Sequence, residues 1–341
     1  MQMRDDLGIT TKLENGKAYL EFALPEKIGR LLSALQIEIW EGAEGERLVF
    51  HGEYSSEEAD SMTALLLRPH LWDGMRDPYV YLVKAQGRFR SVEYGEKMGG
   101  MEKEEKLDPA EDITGEVEMY WRQELTIYDV RVVEKKGILL NEKEFLPHEV
   151  VYRLPPQISD AGTRVEQVRR DLERLVQMGV NVIRLEGTGT GAEGVNCSEV
   201  RTFYSLCRKR GFLTGDLWIR PENLPVYRGL PGETTCQALL AADGRTLTER
   251  YYYYQAKWSS EPVLYPVLST LHRQENGLLS LTIYSNQKKV VLYVDGLLFL
   301  FQSAASGDPE FIFEDIPVAK LPLHLAVEAG NLSISLTVSK I

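Results

Sequence analysis

Apolar and polar residues alternate along both ends of this 341-residue chain and adopt helical spacing in its middle. Apolar positions recur every three or four residues from Val165 to Val176, which predicts a helix over about 163–178. The stretch 180–185 is short and β-branched, which predicts a strand. A helix from about 198 and a strand over 212–219 follow. Alternating helices and strands with short turns predict parallel strands and right-handed crossovers.

The ends of the first predicted helix carry local signals. Thr163 and Glu166 have capping-box spacing, which satisfies free N–H groups in a first helical turn. Gly179 stands where the helix should stop, since glycine adopts the left-handed conformation without strain.

Alternation with a period of two predicts an all-β domain on each side of this segment. We expect β-sandwiches at 1–134 and 261–341 and an α/β segment at 135–260. Ser285-Asn286 and Asp295-Gly296 are predicted hairpin turns in the last domain. The charged, Gly-containing stretch 96–115 predicts a solvated loop or hairpin tip. The stretch 297–301 is apolar on both faces, which indicates a strand covered by another domain or an interface.

The charge and cysteine content of the chain restrict the kinds of molecule that it is expected to bind. The net charge of −12 argues against nucleic acid or an anionic membrane as the main partner, since both require a basic surface. We see no signal peptide and no apolar run of about 18 residues, so we expect a cytoplasmic protein. The three cysteines, Cys197, Cys207 and Cys236, lack metal-ligand spacing, and we expect no metal and no cofactor.

Several segments resemble, in the same order, those of glycoside hydrolase family 2, the β-galactosidase and β-glucuronidase family. The resemblance implies an immunoglobulin-like middle domain, a (β/α)₈ barrel and an immunoglobulin-like C-terminal domain. The segments that carry it are 71–83 (LWDGMRDPYVYLV), the hairpin 128–145, 171–184 (DLERLVQMGVNVIR), 203–213, 246–258 and 279–296 (LSLTIYSNQKKVVLYVDG).

This sequence differs from the family in the length of the barrel and in the catalytic residues, and both differences affect the expected function. A complete barrel needs about 250 residues, but only about 110 lie between the entry hairpin and the last-helix match. We therefore expect a partial TIM-like barrel between two immunoglobulin-like sandwiches. The family's two catalytic glutamates lie on barrel strands that are missing here. Asn141-Glu142 is in the entry hairpin and cannot replace them.

The resemblance therefore implies a protein of carbohydrate metabolism that lacks the family's chemistry. It would bind carbohydrate or a protein partner, and self-association or a partner protein would cover the open barrel. The alternative is an active O-glycosyl hydrolase with a rebuilt or subunit-shared site.

Three acidic candidates lie near or just beyond the carboxyl ends of the predicted parallel strands, where barrel-type sites form. The catalytic candidates are Glu186, Glu193 and Asp216, and the ligand-binding candidates are Arg184, Trp218 and His148. Arg184 has a second interpretation, in which it pairs with a neighbouring carboxylate and holds the core together.

A glycine-rich stretch gives a further alternative. Residues 189–194 have the GxGxxG spacing, with a predicted strand before it and a helix after it. Such a loop holds a pyrophosphate on backbone N–H groups, so nucleotide binding is the second alternative function. The charged end of the preceding strand favours an ordinary flexible loop instead.

Overall fold

The computed structural model describes residues 7–92, 113–154, 161–186, 197–215, 224–229, 238–304 and 307–340. The chain divides into two compact units, Met1–Phe145 and Leu146–Ile341. Strands outnumber helices in both, and no helix of the described part is long and apolar enough to cross a membrane. The finer division at 134 and 260 stays a prediction.

The first unit is a β-sandwich of two antiparallel sheets, in the orders β1-β2-β5 and β4-β3-β6-β7, with a small extra sheet β10-β9-β8. Its elements are β1 (Gly8–Glu14), β2 (Lys17–Ala23), α1 (Glu26–Gly29), β3 (Leu32–Glu41), β4 (Arg47–Ser55), β5 (Thr63–Leu67), β6 (Tyr81–Val92), β7 (Ile113–Leu125), β8 (Val130–Val133), β9 (Gly137–Leu140) and β10 (Lys143–Glu144), with 3₁₀ turns at Ser56–Glu58 and Gly74–Arg76.

Period-2 alternation builds this sandwich. On β2, Ala18, Leu20 and Phe22 point into the core while their neighbours are exposed. Strands β6 and β7 pair antiparallel over their length. The predicted loop 96–115 was wrong at 113–115, which belong to β7, and the rest of it lies outside the described residues. Asn141-Glu142 forms the tight β9–β10 turn with positive φ at both residues.

The second unit opens with a parallel sheet and its helices. They are β11 (Glu149–Tyr152), α2 (Ala161–Met178), β12 (Val182–Leu185), α3 (Cys197–Lys209), β13 (Leu213–Thr214), β14 (Val226–Arg228), β15 (Ala238–Leu240) and α4 (Glu249–Trp258). Every strand pair is parallel, and the order is β13-β12-β11-β14-β15. The predicted alternation of helices and parallel strands is confirmed.

That strand order does not show the predicted barrel fragment. In a barrel the strands follow one another around the sheet in chain order. Here β14 returns to pair with β11, so that the first strand lies in the middle of an open sheet. The same order occurs in doubly wound α/β sheets, but those carry helices on both faces, whereas the helices described here share one core.

Helices α2, α3 and α4 all contribute side chains to one hydrophobic core with β11 and β12. Helix α2 begins at Ala161, two residues before the predicted cap. Val176 is 41% exposed, so the predicted apolar face was wrong at that position. Gly179 follows α2 with φ +87°, which confirms the predicted left-handed stop.

The unit ends in a second sandwich with the strand order of the first. Its strands are β16 (Leu264–Arg273), β17 (Leu279–Ser285), β18 (Lys289–Val294), β19 (Leu297–Ser303), β20 (Glu310–Ile316), β21 (Leu323–Ala329) and β22 (Leu332–Val338). They form the antiparallel sheets β16-β17-β20 and β19-β18-β21-β22.

One of the two predicted hairpin turns of this sandwich is confirmed, and the other was wrong. Asp295-Gly296 joins the paired strands β18 and β19 with positive φ at both residues, as a type I′ turn requires. Ser285-Asn286 as a hairpin turn was wrong, because β17 and β18 lie in different sheets and the chain crosses between them there.

Candidate functional site

The order of the parallel sheet marks one place where a ligand site is expected. The connections leave β11 in one direction toward β12 and return on its other side at β14. In open α/β sheets, ligands bind outside the carboxyl ends of the strands at such a switch point. Arg153 follows β11 at this point, and Arg228 ends β14.

Three of the six predicted site residues lie in the described part of the chain: Arg184, Glu186 and His148. Glu193, Asp216 and Trp218 lie outside the described residues, as does the glycine-rich stretch 189–194. That stretch follows β12 rather than β11, so it does not start at the switch point between β11 and β14.

Arg184 forms a buried ion pair with Glu149. Its Nε donates to Glu149 Oε1 over 2.9 Å, and Glu149 is almost fully buried on β11. Val150 and Ile183 belong to the helix-side core, so alternation places this pair on the opposite face of the sheet. Arg184 thus pairs with a neighbouring carboxylate, as one of its two interpretations predicted.

Glu186 lies just beyond β12 and is held by Arg153. Arg153 Nε donates to Glu186 Oε2, and Nη2 donates to Oε1 over 3.3 Å. Arg153 Nη1 also donates to the backbone oxygen of Arg228 over 3.3 Å. Arg153 therefore links the carboxyl ends of three strands. This residue was not among the predicted site residues, although its position directly after a buried strand was a signal.

His148 lies at the other end of the sheet, before the first residue of β11. Its Nδ1 is 2.8 Å from the carbonyl oxygen of Gly179, and its ring stacks on Trp258 with centroids 5.2 Å apart. Burial lowers the pKa of His148, which favours the neutral ring. The structure does not bring His148 together with Glu186.

A buried polar cluster beneath the strand ends was also missed. Asp171 of α2 is 1% exposed, and three groups donate to its carboxylate. The distances are 2.9 Å from Tyr152 Oη to Oδ2, 3.1 Å from Tyr227 Oη to Oδ1 and 2.7 Å from Arg228 Nη2 to Oδ2. The cluster ties α2 to β11 and β14.

The cluster also fixes the protonation of its tyrosines. Burial, and next the nearby Asp171 charge, raise the pKa values of Tyr152 and Tyr227 well above the ordinary range. Both phenols therefore remain hydrogen-bond donors. We assign this cluster a role in positioning the strand ends rather than in proton transfer.

The loop after β15 packs against this cluster. Gly244 has φ +68°, and a Cβ there would lie 2.7 Å from Arg228 Nη1. The preceding Asp243 holds the turn, because its Oδ1 accepts from the backbone N–H groups of Arg245 and Thr246 over 2.8 and 2.9 Å. The Thr246 hydroxyl donates to Oδ2 over 2.6 Å.

A Thr246→Val substitution is expected to raise the pKa of Asp243. The Thr246 hydroxyl, followed by the backbone N–H groups, lowers this pKa from 3.8 to about 2. Since the folded pKa is depressed, the stability that this carboxylate contributes is present above pH 3.8 and is lost as the pH falls toward 2. Carboxyl ¹³C NMR titration measures the shift. Thr248→Val is the control, because its hydroxyl donates to Ala238; an unchanged Asp243 titration in Thr246→Val would contradict the assignment.

The strand ends offer hydrogen-bonding groups of both kinds. The Arg153 side chain is 19% exposed and the Glu186 side chain 46%, so a ligand can reach both. A guanidinium supplies only donors and a carboxylate only acceptors, and hydroxyl groups of a ligand match both. Within the described ranges, no group of three or more His, Cys, Asp or Glu side chains is placed to hold a metal ion.

No protein-family model and no curated protein matches this sequence. Solved structures do match the fold. An FMN-binding β-glucuronidase from Facaelibacterium prausnitzii L2-6 is 14% identical, with a TM-score of 0.62 over 98% of this chain and 74% of its own. A β-glycosidase from Bacteroides vulgatus is 11% identical, with a TM-score of 0.63 over 98% of this chain and 64% of its own.

A glycosyl hydrolase family 2 member from Bacteroides cellulosilyticus DSM 14838 is 12% identical, with a TM-score of 0.57 over 98% of this chain and 63% of its own. At such identities, the likeness shows the fold alone. The chain spans from 63% to 74% of the length of these three proteins. The chain thus shares with these glycosidase structures a fold of β-sandwiches and an α/β segment.

Proposed function

We propose that this protein of carbohydrate metabolism binds carbohydrate at the carboxyl ends of β11, β12 and β14 without hydrolysing it. The observation that carries this proposal is the pair of Arg153 and Glu186 at the switch point, with both carboxylate oxygens engaged by one guanidinium. The fold shared with glycosidase structures supports a carbohydrate as the ligand class.

Hydrolysis makes demands that these carboxylates do not meet. A retaining glycosidase uses two carboxyl groups about 5 Å apart, one as acid and one as nucleophile. Glu186 accepts from Arg153, and Glu149 accepts from Arg184 on a buried face. Each carboxylate is bound as an acceptor to an arginine, so neither is placed to donate a proton or to attack an anomeric carbon.

Carbohydrate binding requires only hydrogen-bonding groups, and Arg153 and Glu186 supply them. A sugar hydroxyl both donates and accepts, so Glu186 and Arg153 can each take one hydroxyl at a strand end. The pair is fixed from behind, since Arg153 Nη1 also donates to the Arg228 carbonyl. Ligand hydroxyls would therefore meet groups whose positions are already set, which limits the entropy lost on binding.

The purified chain is expected to release no aryl alcohol from a panel of aryl β-glycosides that includes a galactoside and a glucuronide. The reason is that the two carboxylates described near the strand ends, Glu186 and Glu149, are each held by an arginine. Absorbance of the released nitrophenol measures turnover, with Glu186→Gln assayed beside the wild type. Turnover that Glu186→Gln abolishes would establish an active hydrolase and sink the proposal; turnover that persists in Glu186→Gln identifies a contaminant or another site.

Carbohydrate binding by the wild type and Glu186→Gln is measured as the increase in melting temperature when a thioglycoside is added. Thioglycosides resist hydrolysis and therefore report binding alone. A ligand that binds only the folded state stabilises it by RT ln(1 + [L]/Kd). The wild type should be stabilised, and Glu186→Gln should lose that stabilisation. The control is Glu173→Gln, an exposed carboxyl on α2 that should leave the shift unchanged. No stabilisation by any sugar would leave a protein as the partner.

A further inference from the structure

The outer face of the sheet β4-β3-β6-β7, in the first sandwich, carries a polar hollow. On β6, Val83, Ala85 and Phe89 belong to the core. The alternating residues Gln86 and Arg88 therefore point to the outer face, where both are exposed. The hollow has a volume of about 600 Å³. The long polar side chains that line it are Gln36, Glu53, Glu58, Gln86, Arg88 and Glu118.

Two rows of side chains cross the four strands and form this hollow. The strand register places in one row Glu53, Gln36, Gln86 and Tyr120. It places in the adjacent row Ser55, Ala34, Arg88 and Glu118. The short side chains of Ala34 and Ser55 leave a space that the longer side chains around them enclose. The hollow therefore follows from the residues that the register brings side by side.

Tyr120 ends the first row as an exposed ring that is held in place. The residue is 67% exposed. Its hydroxyl donates to Glu118 Oε2 over 2.5 Å and accepts from Gln86 Nε2 over 3.1 Å. A tyrosine offers a flat apolar ring with a polar tip. Because two neighbours already fix the tip of this ring, a ligand that stacks on it costs little side-chain entropy.

The other groups of the hollow supply both donors and acceptors of hydrogen bonds. Gln36 and Gln86 carry amide groups, which do both. Arg88 forms no hydrogen bond or ion pair with the described residues, so its donors are open to a ligand. The carboxylates of the hollow outnumber this one guanidinium, which disfavours an anionic ligand. The surroundings of Tyr120 therefore suit an uncharged molecule that is rich in hydroxyl groups.

We propose that this hollow binds a neutral polysaccharide, with one sugar ring stacked on Tyr120 and its neighbours hydrogen-bonded to the polar groups across the strands. A sugar ring has an apolar C–H face, and its hydroxyl groups both donate and accept. The rows cross four strands, a span of roughly 14 Å, so the surface accommodates a chain rather than a single sugar. A protein contact surface would instead have an apolar centre, but the centre here consists of Gln36 and Gln86.

The experiment is native affinity electrophoresis of the full chain in gels that each contain one soluble neutral polysaccharide, a β-glucan, a xylan or a galactomannan. Every protein in it also carries Glu186→Gln, which disables the proposed strand-end site. Binding slows migration, and the dependence on polysaccharide concentration gives the dissociation constant. The chain should be retarded by at least one of the three. Tyr120→Ala should raise that dissociation constant at least about tenfold, because it removes the stacking surface.

Tyr19→Ala is the matched control. Tyr19 is a 40% exposed tyrosine of β2, in the other sheet of the same sandwich. Its removal should leave the retardation unchanged. Tyr120→Phe tests the role of the ring, because it keeps the stacking surface and loses only the hydroxyl. It should keep the dissociation constant within about threefold of the parent value.

Three results would overturn the proposal. Retardation that persists in a Tyr120→Ala variant with native circular dichroism would place polysaccharide binding elsewhere. No retardation by any of the three polysaccharides would exclude this ligand class and leave a protein as the partner of the face. Stronger retardation by polygalacturonate, an acidic polysaccharide, would contradict the charge argument. Because the strand-end site is disabled in every variant, failure here and failure of the proposed function remain distinguishable.

Discussion

An Asp171→Ala variant is expected to lose about 3–5 kcal/mol of local stability in the α/β segment, the cost of leaving a buried charge without its partner. The Arg228 side chain is almost fully buried, and its Nη2 donates to Asp171 over 2.7 Å. The hydroxyls of Tyr152 and Tyr227 lose their acceptor at the same time. The loss is large because one buried cation and two buried hydroxyls depend on the same carboxylate.

Hydrogen exchange measured by mass spectrometry checks this expectation, because a chain of two units need not unfold in one step. Amides of α2 and β11 should exchange faster by about two to three orders of magnitude, since every 1.4 kcal/mol is about tenfold. Peptides from the first sandwich should be unaffected. Unchanged protection of α2 would show that Arg228 finds another partner.

The neighbouring Glu173 supplies the matched control. It lies on the same helix, its side chain is 63% exposed, and it is 3.8 Å from Arg210. Glu173→Ala should change stability by no more than about 0.5 kcal/mol. A double variant, Asp171→Leu with Arg228→Met, should lose less than the two single changes combined, with a coupling of about 1–3 kcal/mol. Additive losses would mean that the two side chains do not act as a pair.

Features governed by neighbouring residues could be predicted from the sequence. Gly179 and the Asp295-Gly296 turn depend on which residues tolerate positive φ, a property of single residues and their neighbours. The alternation that forms the two sandwiches is also local, since it reports which face of a strand is buried.

Strand partners could not be predicted in this way, because they depend on segments far apart in the chain. Ser285-Asn286 has the composition of a hairpin turn, but whether the flanking strands pair is decided by the rest of the sheet. The order β13-β12-β11-β14-β15 likewise depends on where the chain returns after β13. β16 shows no regular alternation in the sequence, because Pro266 and a register shift after Val267 interrupt it.

The same division between neighbouring and distant residues applies to the candidate site. One of the two interpretations of Arg184 was that it pairs with a neighbouring carboxylate, since a charged residue within a buried strand needs a partner. Asp171 was missed although it lies three residues after Val168 and four before Leu175, within the apolar stripe of α2. A charged residue at a stripe position was the signal. Its partners Tyr227 and Arg228 lie over 50 residues away, so no local pattern names them.

A Gly179→Ala variant is expected to destabilise the second unit by about 2–5 kcal/mol. About 1–2 kcal/mol comes from placing an L-residue at φ +87°, and about 1–3 from overpacking. A Cβ on Gly179 would lie 2.4 Å from the backbone oxygen of Trp258 and 2.8 Å from the backbone nitrogen of Ser259. Both contacts are with backbone, so no side chain can rotate away to relieve them.

Comparison with Gly296→Ala separates the backbone strain at positive φ from the steric clash of the added Cβ within the same unit. Gly296 has φ +81°, but nothing lies within 4 Å of a Cβ built there. Scanning calorimetry should show a small decrease in the melting temperature for Gly296→Ala and a decrease larger by roughly 3–10 °C for Gly179→Ala, since 1 kcal/mol is about 2–4 °C for a unit of this size. Equal decreases would show that the chain after α4 moves aside and that only the strain matters.

The difference between the two glycine variants reports how firmly α4 is docked. The backbone that follows α4 rests on Gly179, the ring of His148 stacks on Trp258, and Tyr252 stacks on Tyr265 of β16 at 3.8 Å. Displacing Trp258 from Gly179 therefore disturbs the start of β11 and the beginning of the second sandwich together. A large difference would mean that the parallel sheet and this sandwich share their stability through α4. A small one would mean that the two parts of the unit are held independently.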